Sequence, residues 1–566
     1  MTGAAPYAAV AVVLVVLATV AIGVFGLRLV RTTGDFLVAS RAVSPLWNAS
    51  AISGEYLSAA SFLGIAGLVL VYGPDALWYP VGFVAGYLLL LVLVAAPLRR
   101  SGAHTVPDFA EARLGSSVVR RLASLLVVVI GWLYLVPQLQ GAGLTLRATT
   151  GAPAWLGPVV VAVVVAGNVA LGGMRSATFV QAFQYWLKLT ALAVPAVVLV
   201  LAWHADGAPH VDSAGPPVFH SATTVRLDAP VRVELSQPVP VIADGRPELL
   251  AAGPHRFAAG TTLDFPAGAA VPPLASLPAS TGGQWALPLS GAGGRQHPLY
   301  TTYAVGVATL LGTMGLPHVL VRFYASPDGR AARRSALGVL GLLGVFYLLP
   351  TIFGALGRLY TPELLLTGRT DAVVLALPGH LLPGLPGLLL GALVTAGAFA
   401  AFLSTSSGLV VSVAGVLVRD VLRRPVRDLR RATVVAAAVP LLLALLGRGL
   451  PVTEVVTLAF AVAASTFCPL LVLGIWWRGL TAPGAVAGLV TGGALSGLAV
   501  GATLIGLTPS SGWAAVLLGE PAAWVVPLST TAMVLGSLLT RSRAPSDVGR
   551  TMLTLHAPEA LRTPAP

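Results

Sequence analysis

Long, uninterrupted apolar stretches recur along almost the whole of this chain of 566 residues. Many reach the roughly 20 residues that an α-helix needs to cross about 30 Å of hydrocarbon. Apolar residues make up 56% of the chain and charged residues only 10%, too few to cover the surface of a soluble protein of this length. The sequence therefore predicts an all-α polytopic membrane protein embedded in a lipid bilayer.

Apolar length divides the chain into about thirteen predicted spans. They cover approximately residues 6–27, 46–71, 76–98, 122–146, 155–172, 178–203, 299–321, 336–357, 385–417, 433–447, 453–475, 483–506 and 523–540. Arginines concentrate in the loops 28–41, 99–113, 330–334 and 419–431 and at 541–543, all on one face of this arrangement. The positive-inside rule makes that face cytoplasmic, so we expect a cell-membrane protein with its N-terminus outside and its C-terminus in the cytoplasm.

The first apolar run is expected to be a retained helix, because Arg28 and Arg31 follow it and no basic residue precedes it. The net charge of +13 is spread over the cytoplasmic loops, which argues against a nucleic-acid partner. The single cysteine, Cys468, excludes an intrachain disulfide framework. No nucleophile–base constellation or phosphate-binding loop is recognisable, so we expect neither an enzyme nor a cofactor.

Residues 204–298 interrupt the membrane pattern between a first transmembrane part, 1–203, and a second, 299–541. The stretch "TTVRLDAPVRVELSQPVPVI" alternates apolar and polar residues with period two, which predicts short strands in an extracytoplasmic β-rich insertion. It would serve as a stabilising cover or as a module that collects substrate or docks a partner. Residues 542–566 are polar and proline-bearing, and we expect a loose cytoplasmic tail there.

The first of three polar interruptions is "SGEYLSAASFLG", residues 53–64, inside an apolar span. Gly54 would loosen the helix and free carbonyls near Gly54 and Leu57 for a small hard cation, which prefers oxygen ligands. A carboxylate within the membrane marks a functional site by default, although Glu55 would also be explained by a structural ion pair. Lys188, the only lysine in the chain, lies within another span and is a candidate partner for Glu55.

The second interruption is "LLGTMGLPHVLVRFY", residues 310–324. Gly312, Gly315 and Pro317 predict a break in the helix. Thr313 and the freed amides would face an anion, since helix N-termini favour negative charge. His318 would act as a proton-sensitive gate or, alternatively, hydrogen-bond a nearby backbone group.

The third interruption is "AFAAFLSTSSGLVVS", residues 398–412, with four consecutive hydroxyl residues from Ser404 to Ser407. Small and hydroxyl-bearing residues in membrane helices commonly serve close packing. Facing the broken first helix, however, they would complete a five-oxygen sodium site. Its ligands would be the carbonyls of Gly54, Leu57 and Ala401 and the side chains of Ser404 and Thr405.

The motifs "GEYLSAASFLGIAG", "GTMGLPHVLVRFY" and "FLSTSSG" resemble the sodium/solute symporter family, and most closely its cation–acetate (monocarboxylate) branch. The resemblance implies a leucine-transporter-type fold with two inverted five-helix repeats and flanking helices. It places sodium between the first and eighth core helices, on the five residues named above. The substrate would lie between the broken helices, at Tyr56, Ser58, Ser61, Gln138, Thr313 and Gly315.

Two departures from the family pattern affect this prediction. Some members carry an aspartate in the fifth core helix that handles a second cation, whereas the matching position here is Gln181 in "ATFVQAFQ". A neutral amide favours one coupled cation over two. The insertion is also longer than in typical acetate-type members.

The resemblance thus implies uptake of a short-chain monocarboxylate, such as acetate, propionate or pyruvate, coupled to Na⁺ or H⁺. The alternatives are a symporter for another small solute such as proline, and a solute-sensing transceptor. The sequence does not indicate an oligomeric state.

Overall fold

The computed structural model describes residues 4–27, 44–227, 230–235, 238–274, 281–421, 428–447, 452–509 and 511–557. Twelve helices in these ranges are long and apolar enough to cross a membrane. The helices of the first half are α1 (Ala5–Leu27), α2 (Pro45–Tyr56), α3 (Ile65–Tyr72), α4 (Trp78–Leu93), α5 (Ala95–Arg100), α6 (Val106–Leu114), α7 (Ser117–Thr150) and α8 (Leu156–Ala205). After the insertion, which contains α9 (Gly282–Ala286), come α10 (Pro298–Gly315), α11 (Pro317–Tyr324), α12 (Gly329–Tyr360), α13 (Glu363–Thr367), α14 (Val373–Leu381), α15 (Leu385–Val416), α16 (Leu429–Leu446), α17 (Val452–Trp476), α18 (Ala482–Leu504), α19 (Trp513–Gly519), α20 (Ala522–Leu539) and α21 (Val548–His556).

Helices α2 and α3 belong to one membrane-crossing segment, whereas α8 contains two. A π-helical turn at Ala60–Gly64 joins α2 to α3, and a turn at Gly73–Leu77 separates α3 from α4. Helix α8 is divided at Gly173, whose φ of 55° and ψ of −152° are not helical. With α2 and α3 taken as one interrupted crossing, the described residues contain thirteen apolar segments, in agreement with the sequence prediction.

In chain order, the thirteen segments form groups of one, five, five and two. The first segment of each group of five is broken. Helix α2 ends at Leu57, whose ψ is 85°. Helix α10 ends at Leu316, whose ψ of 114° is the extended conformation expected before Pro317. Both predicted breaks are therefore confirmed. Helix α2 packs against α8, α12 and α15, and α10 packs against α4 and α17, so both breaks lie inside the bundle.

The role predicted for Gly54 is wrong, because the helix continues past it to Tyr56. A Cβ atom at position 54 would lie 2.2 Å from the backbone oxygen of Gln181 in α8. Glycine is required here because two helix backbones approach closely, which is the usual use of small residues between membrane helices.

The insertion contains the short strands that the alternating pattern predicts. Strands β1 (Thr223–Arg226), β6 (Thr262–Phe265), β3 (Val239–Ala243) and β4 (Arg246–Leu250) form one antiparallel sheet in that order, and β2 (Val231–Leu235) pairs with β5 (Gly253–Phe257). Where β1 pairs with β6, Val225 lies opposite Leu263, and both side chains are buried. The apolar positions of the alternation therefore form the interior of the insertion.

The segment after the sheets docks on the end of the interrupted helix. Trp285 Nε1 donates a hydrogen bond to the carbonyl of Val69 at 2.8 Å. The buried carboxylate of Asp75 accepts a hydrogen bond from Leu289 N at 2.9 Å. These contacts connect the insertion to the transmembrane core.

We expect Asp75→Ala to loosen this docking without unfolding the bundle. The substitution leaves Leu289 N without its acceptor, and an unsatisfied buried polar group costs about 1–3 kcal/mol. Hydrogen exchange should accelerate at residues 282–294, with the strands at 239–250 as the internal reference. Equal acceleration in both regions would contradict a local effect.

The expectation of a loose tail is wrong for part of residues 542–566. Helix α21 has an amphipathic pattern that buries Met552 and Leu555. His556 Nε2 donates to the carbonyl of Ile475 at 2.9 Å, and Arg100 Nη1 donates to the carbonyl of His556 at 3.3 Å. Residues 558–566 and the predicted loop arginines Arg28, Arg31 and Arg41 lie outside the described residues.

Candidate functional site

Glu55, one residue before the end of α2, forms an ion pair within the membrane. Its partner is Arg322 in α11, whose Nε lies 2.6 Å from Glu55 Oε2. Each side chain is only 1% exposed. The carboxylate that the sequence singled out is thus paired with an arginine rather than with Lys188, and the pair joins the two broken helices.

Arg322 also reaches the second half of α8. Its Nη1 donates to Thr178 Oγ1 at 2.9 Å, and its Nη2 donates to Gln181 Oε1. The amide nitrogen of Gln181 in turn donates to the carbonyl of Ser404 in α15 at 2.8 Å. Gln181, predicted to stand at a cation-handling position, therefore uses both ends of its amide to connect helices.

Sequence reasoning assigned no role to Arg322, although it lies in the quoted second motif. An arginine inside an otherwise apolar span is itself the signal, because such a charge needs a partner or a water-filled cavity. The local sequence identifies the need for a partner. It does not identify Glu55, which lies 267 residues away in the chain.

Lys188, in the same half of α8, points its ammonium group at the break in α2. The group donates hydrogen bonds to the carbonyl of Gly54, to the carbonyl of Leu57 at 2.7 Å and to Ser404 Oγ at 2.9 Å. Ser404 Oγ gives its own hydrogen to the carbonyl of Ala401 at 3.1 Å, so it accepts from the lysine. As an ammonium group, the side chain has three N–H donors, one for each of these acceptors.

The five residues predicted to bind sodium do meet between α2 and α15, but their oxygens are engaged. Gly54, Leu57 and Ser404 accept hydrogen bonds from Lys188. The carbonyl of Ala401 accepts a hydrogen bond from Ser404 Oγ. Thr405 Oγ1 donates instead to the carbonyl of Glu55 at 2.7 Å. This places the hydroxyls of α15 against the broken helix, as expected.

A sodium ion does not fit this donor set while Lys188 is in place. Two unit charges 4 Å apart repel by about 4 kcal/mol at the effective dielectric constant of a protein, and a shared set of oxygens would bring them closer still. The oxygens of the predicted sodium site converge, a lysine side chain lies among them, and sodium binding there stays a prediction. Among the described residues, no group of three or more His, Cys, Asp or Glu side chains forms an alternative metal site.

The residues predicted to bind substrate lie close to the two breaks. Tyr56 Oη and Thr313 Oγ1 are 2.8 Å apart and join the first broken helix to the second. Gln138 Oε1 in α7 accepts a hydrogen bond from Ala59 N at 3.1 Å. Ser61 Oγ lies 2.9 Å from the hydroxyl of Tyr347 in α12.

Ser58 and Gly315 behave differently within the predicted substrate set. Ser58 is fully buried in the gap between α2 and the π-helical turn. Gly315 faces α17, where an added Cβ would lie 2.4 Å from the carbonyl oxygen of Ala463. Gly315 therefore permits close packing of α10 against α17, and its role in substrate binding stays a prediction.

Aromatic side chains that sequence reasoning missed surround Tyr56. Its ring centroid lies 4.8 Å from that of Tyr87 and 5.9 Å from that of Phe83. Phe460 lies 5.0 Å from Phe83 and 5.9 Å from Tyr134. These rings come from helices α2, α4, α7 and α17, and no local pattern in any one helix indicates that they meet.

Several buried polar atoms on the helices near Tyr56 have no hydrogen-bond partner among the described residues. They are Gln138 Nε2, Tyr87 Oη and His318 Nε2. The ring of His318 lies 5.4 Å from that of Tyr134, and the side chain is 1% exposed. Buried polar groups are normally satisfied, so such groups are candidates to meet a solute or water.

A cavity adjoins the second break, next to two of the arginine-rich loops. Its lining includes Pro317, the first residue of α11, as well as Ser412 and Arg419 beyond the hydroxyl motif of α15.

Comparison with known proteins decides the family. The sequence profile of the sodium:solute symporter family matches residues 36–209 and 290–492. The chain belongs to the sodium:solute symporter family. The unmatched stretch between these ranges falls in the β-rich insertion, and the family together with the twelve apolar helices makes the protein a multi-pass symporter.

The curated relatives include two bacterial symporters. YwcA of Bacillus subtilis, an uncharacterized symporter, is 28% identical over 527 residues, which cover 91% of this chain and 89% of that protein. An uncharacterized symporter of Cupriavidus necator is 28% identical over 615 aligned positions, with coverage of 90% and 88%.

Solved structures of other transporters share the fold of this symporter. A Na⁺-coupled sialic acid symporter in a substrate-bound outward-open state has a TM-score of 0.60 at 13% identity, over 94% of this chain and 98% of that one. Mhp1, a nucleobase-cation-symport-1 family transporter, has a TM-score of 0.51 at 14% identity, over 93% and 99%. The predicted leucine-transporter-type fold with a small β-rich insertion is thereby confirmed.

Proposed function

We propose that this symporter takes up a short-chain monocarboxylate, such as acetate, propionate or pyruvate, by alternating access driven by a gradient of Na⁺ or H⁺. The solute would bind between the two broken helices, next to Tyr56, Gln138 and Thr313. The aromatic rings around Tyr56 would enclose its short alkyl group.

The observation that carries this proposal is the charge at the breaks. Glu55 supplies one negative charge, whereas Arg322 and Lys188 supply two positive charges, and all three side chains are at most 1% exposed. Excess charge in a region of low dielectric constant is unfavourable. A solute with a single negative charge would neutralise it, which favours a monocarboxylate over a neutral or cationic substrate.

The polar atoms near Tyr56 suit a carboxylate as well. The free amide hydrogens of Gln138 Nε2 are donors, and the hydroxyl of Tyr87 is a second donor without a partner among the described residues. The Tyr56–Thr313 contact crosses from one broken helix to the other, so a solute that replaces it would connect the two. Broken helices near the middle of the membrane are the usual binding elements of such transporters.

Uptake of radiolabelled acetate into proteoliposomes tests the proposal. We expect accumulation when a Na⁺ gradient or a pH gradient is imposed, and competition by propionate and pyruvate. We expect Gln138→Leu to lower uptake about tenfold, since one lost hydrogen bond to a charged group is worth about 1.5–3 kcal/mol.

Thr433→Val provides a matched control for Thr313→Val. Both threonines are fully buried and hydrogen-bond a carbonyl of their own helix, but only Thr313 contacts Tyr56. Thr313→Val should impair uptake, and Thr433→Val should not. Preferential uptake of proline, or acetate uptake that ignores every imposed ion gradient, would contradict the proposal.

A further inference from the structure

The break in α2 and the hydroxyl motif of α15 form a cation site that already contains a cation. We propose that the Lys188 ammonium is the resident cation of this site and takes the place of a sodium ion there. Transport would then proceed without Na⁺ bound between α2 and α15. This inference rests on the proposed function, because it specifies how the same transport site is coupled.

The geometry of Lys188 matches that of a bound ion. It donates to the carbonyl oxygens of Gly54 and Leu57, which the helix break leaves free, and to the hydroxyl of Ser404. The acceptors belong to α2 and α15, the two elements that a coupling cation would hold together. Lys188 therefore makes the same connection between them from a third element, α8.

Among the described residues, no carboxylate forms an ion pair with Lys188. The nearby Glu55 forms an ion pair with Arg322 at 2.6 Å, and Thr405 Oγ1 donates to the backbone of Glu55 rather than to its side chain. Lys188 is instead stabilised by oxygen dipoles, which is how a protein holds a small metal cation. A lysine that served only as a structural ion-pair partner would approach the carboxylate.

A tethered cation has a consequence for energy coupling. The ammonium moves with α8 and cannot leave the site with the solute. A sodium gradient therefore does no work through these oxygens, even though the surrounding residues resemble a sodium site.

The experiment measures the Na⁺ dependence of the full-length protein and of Lys188→Ala. In the parent, replacing Na⁺ with choline at constant pH and membrane potential should leave acetate uptake within about twofold. Lys188→Ala removes the resident cation and leaves the oxygens free. Uptake by this variant should be low in choline and rise about tenfold in Na⁺, within the usual range of coupling between two sites.

Thermal unfolding in detergent without substrate gives a readout that does not depend on uptake. Na⁺ should raise the unfolding midpoint of Lys188→Ala but not that of the parent, because a ligand stabilises only the state that binds it. Adding Thr405→Ala to Lys188→Ala should remove most of this shift. Lys188→Ser, which also leaves the space of the ammonium group open, replaces the alanine variant if the latter does not fold.

Two outcomes would overturn the inference. One is a saturable Na⁺-induced shift in the parent protein that Thr405→Ala abolishes, which would mean that sodium displaces Lys188. The other is folded Lys188 variants that do not respond to Na⁺, which would mean that the lysine has a structural role only. Failure of acetate uptake under all gradients, with the Na⁺ shift of Lys188→Ala intact, would reject the proposed substrate and leave the resident cation supported.

Discussion

Replacing Arg322 with methionine is expected to destabilise the protein by about 3–5 kcal/mol, because it leaves the buried Glu55 carboxylate without its ion-pair partner. The arginine is 1% exposed and bonds to Glu55, Thr178 and Gln181. Methionine has a volume similar to that of arginine, so little packing is lost. The loss of the charge and its hydrogen bonds therefore accounts for most of the lost stability. Because the pair joins α2 to α11, we expect the same substitution to lower acetate uptake as well.

Unfolding in a denaturant series, monitored on the purified protein, measures this effect. Arg330→Met is the control, since Arg330 is exposed at the start of α12 and a surface substitution changes stability by about 0.5 kcal/mol or less. Combining Glu55→Gln with Arg322→Met should restore part of the lost stability, because the unpaired charge is removed. Equal effects of Arg322→Met and Arg330→Met would show that the buried pair contributes nothing.

The sequence predicted those parts of the fold that depend on neighbouring residues in the chain. Apolar length identified the thirteen segments, and glycine and proline identified the break at Leu316. The break in α2 was predicted from Gly54, but the helix continues past this glycine, which permits the close approach of Gln181. The period of two in the insertion identified its strands because alternation is a local property.

The partners at the candidate site could not be predicted in the same way. Glu55, Arg322 and Lys188 were each visible as charges within apolar spans. Which charge meets which is decided by the packing of helices that are 134 to 267 residues apart. The five oxygens of the predicted sodium site were correctly brought together, but the lysine among them comes from a helix whose local sequence carries no sign of that contact.

The meeting of the aromatic rings around Tyr56 could not be predicted from the sequence either. Tyr87, Tyr134 and Phe460 lie in helices in which aromatic residues are unremarkable. Only the tertiary structure brings their rings within 6 Å of a neighbour. A binding space made by one residue from each of several helices leaves no periodic signal in any of them.

Gly408→Ala is expected to cause the second large loss, because Gly408 in the hydroxyl motif of α15 faces the side chain of Glu55. An added Cβ would lie 1.9 Å from Glu55 Oε1 and 2.0 Å from Cδ. The carboxylate cannot simply swing away, since Arg322 holds its other oxygen at 2.6 Å. Alanine must therefore push α15 away from α2 or break the ion pair.

The expected cost of Gly408→Ala is about 1–3 kcal/mol of stability for an overpacked core, with a loss of acetate uptake of about tenfold or more. Gly415→Ala is the matched control, because Gly415 lies two turns further along the same helix and an added Cβ there has no heavy atom within 4 Å. Both substitutions raise helix propensity equally, so the difference between them isolates the contact with Glu55. If uptake and unfolding were the same in both variants, α15 would not lie against the Glu55–Arg322 pair, and the arrangement of α2, α11 and α15 at the proposed transport site would be wrong.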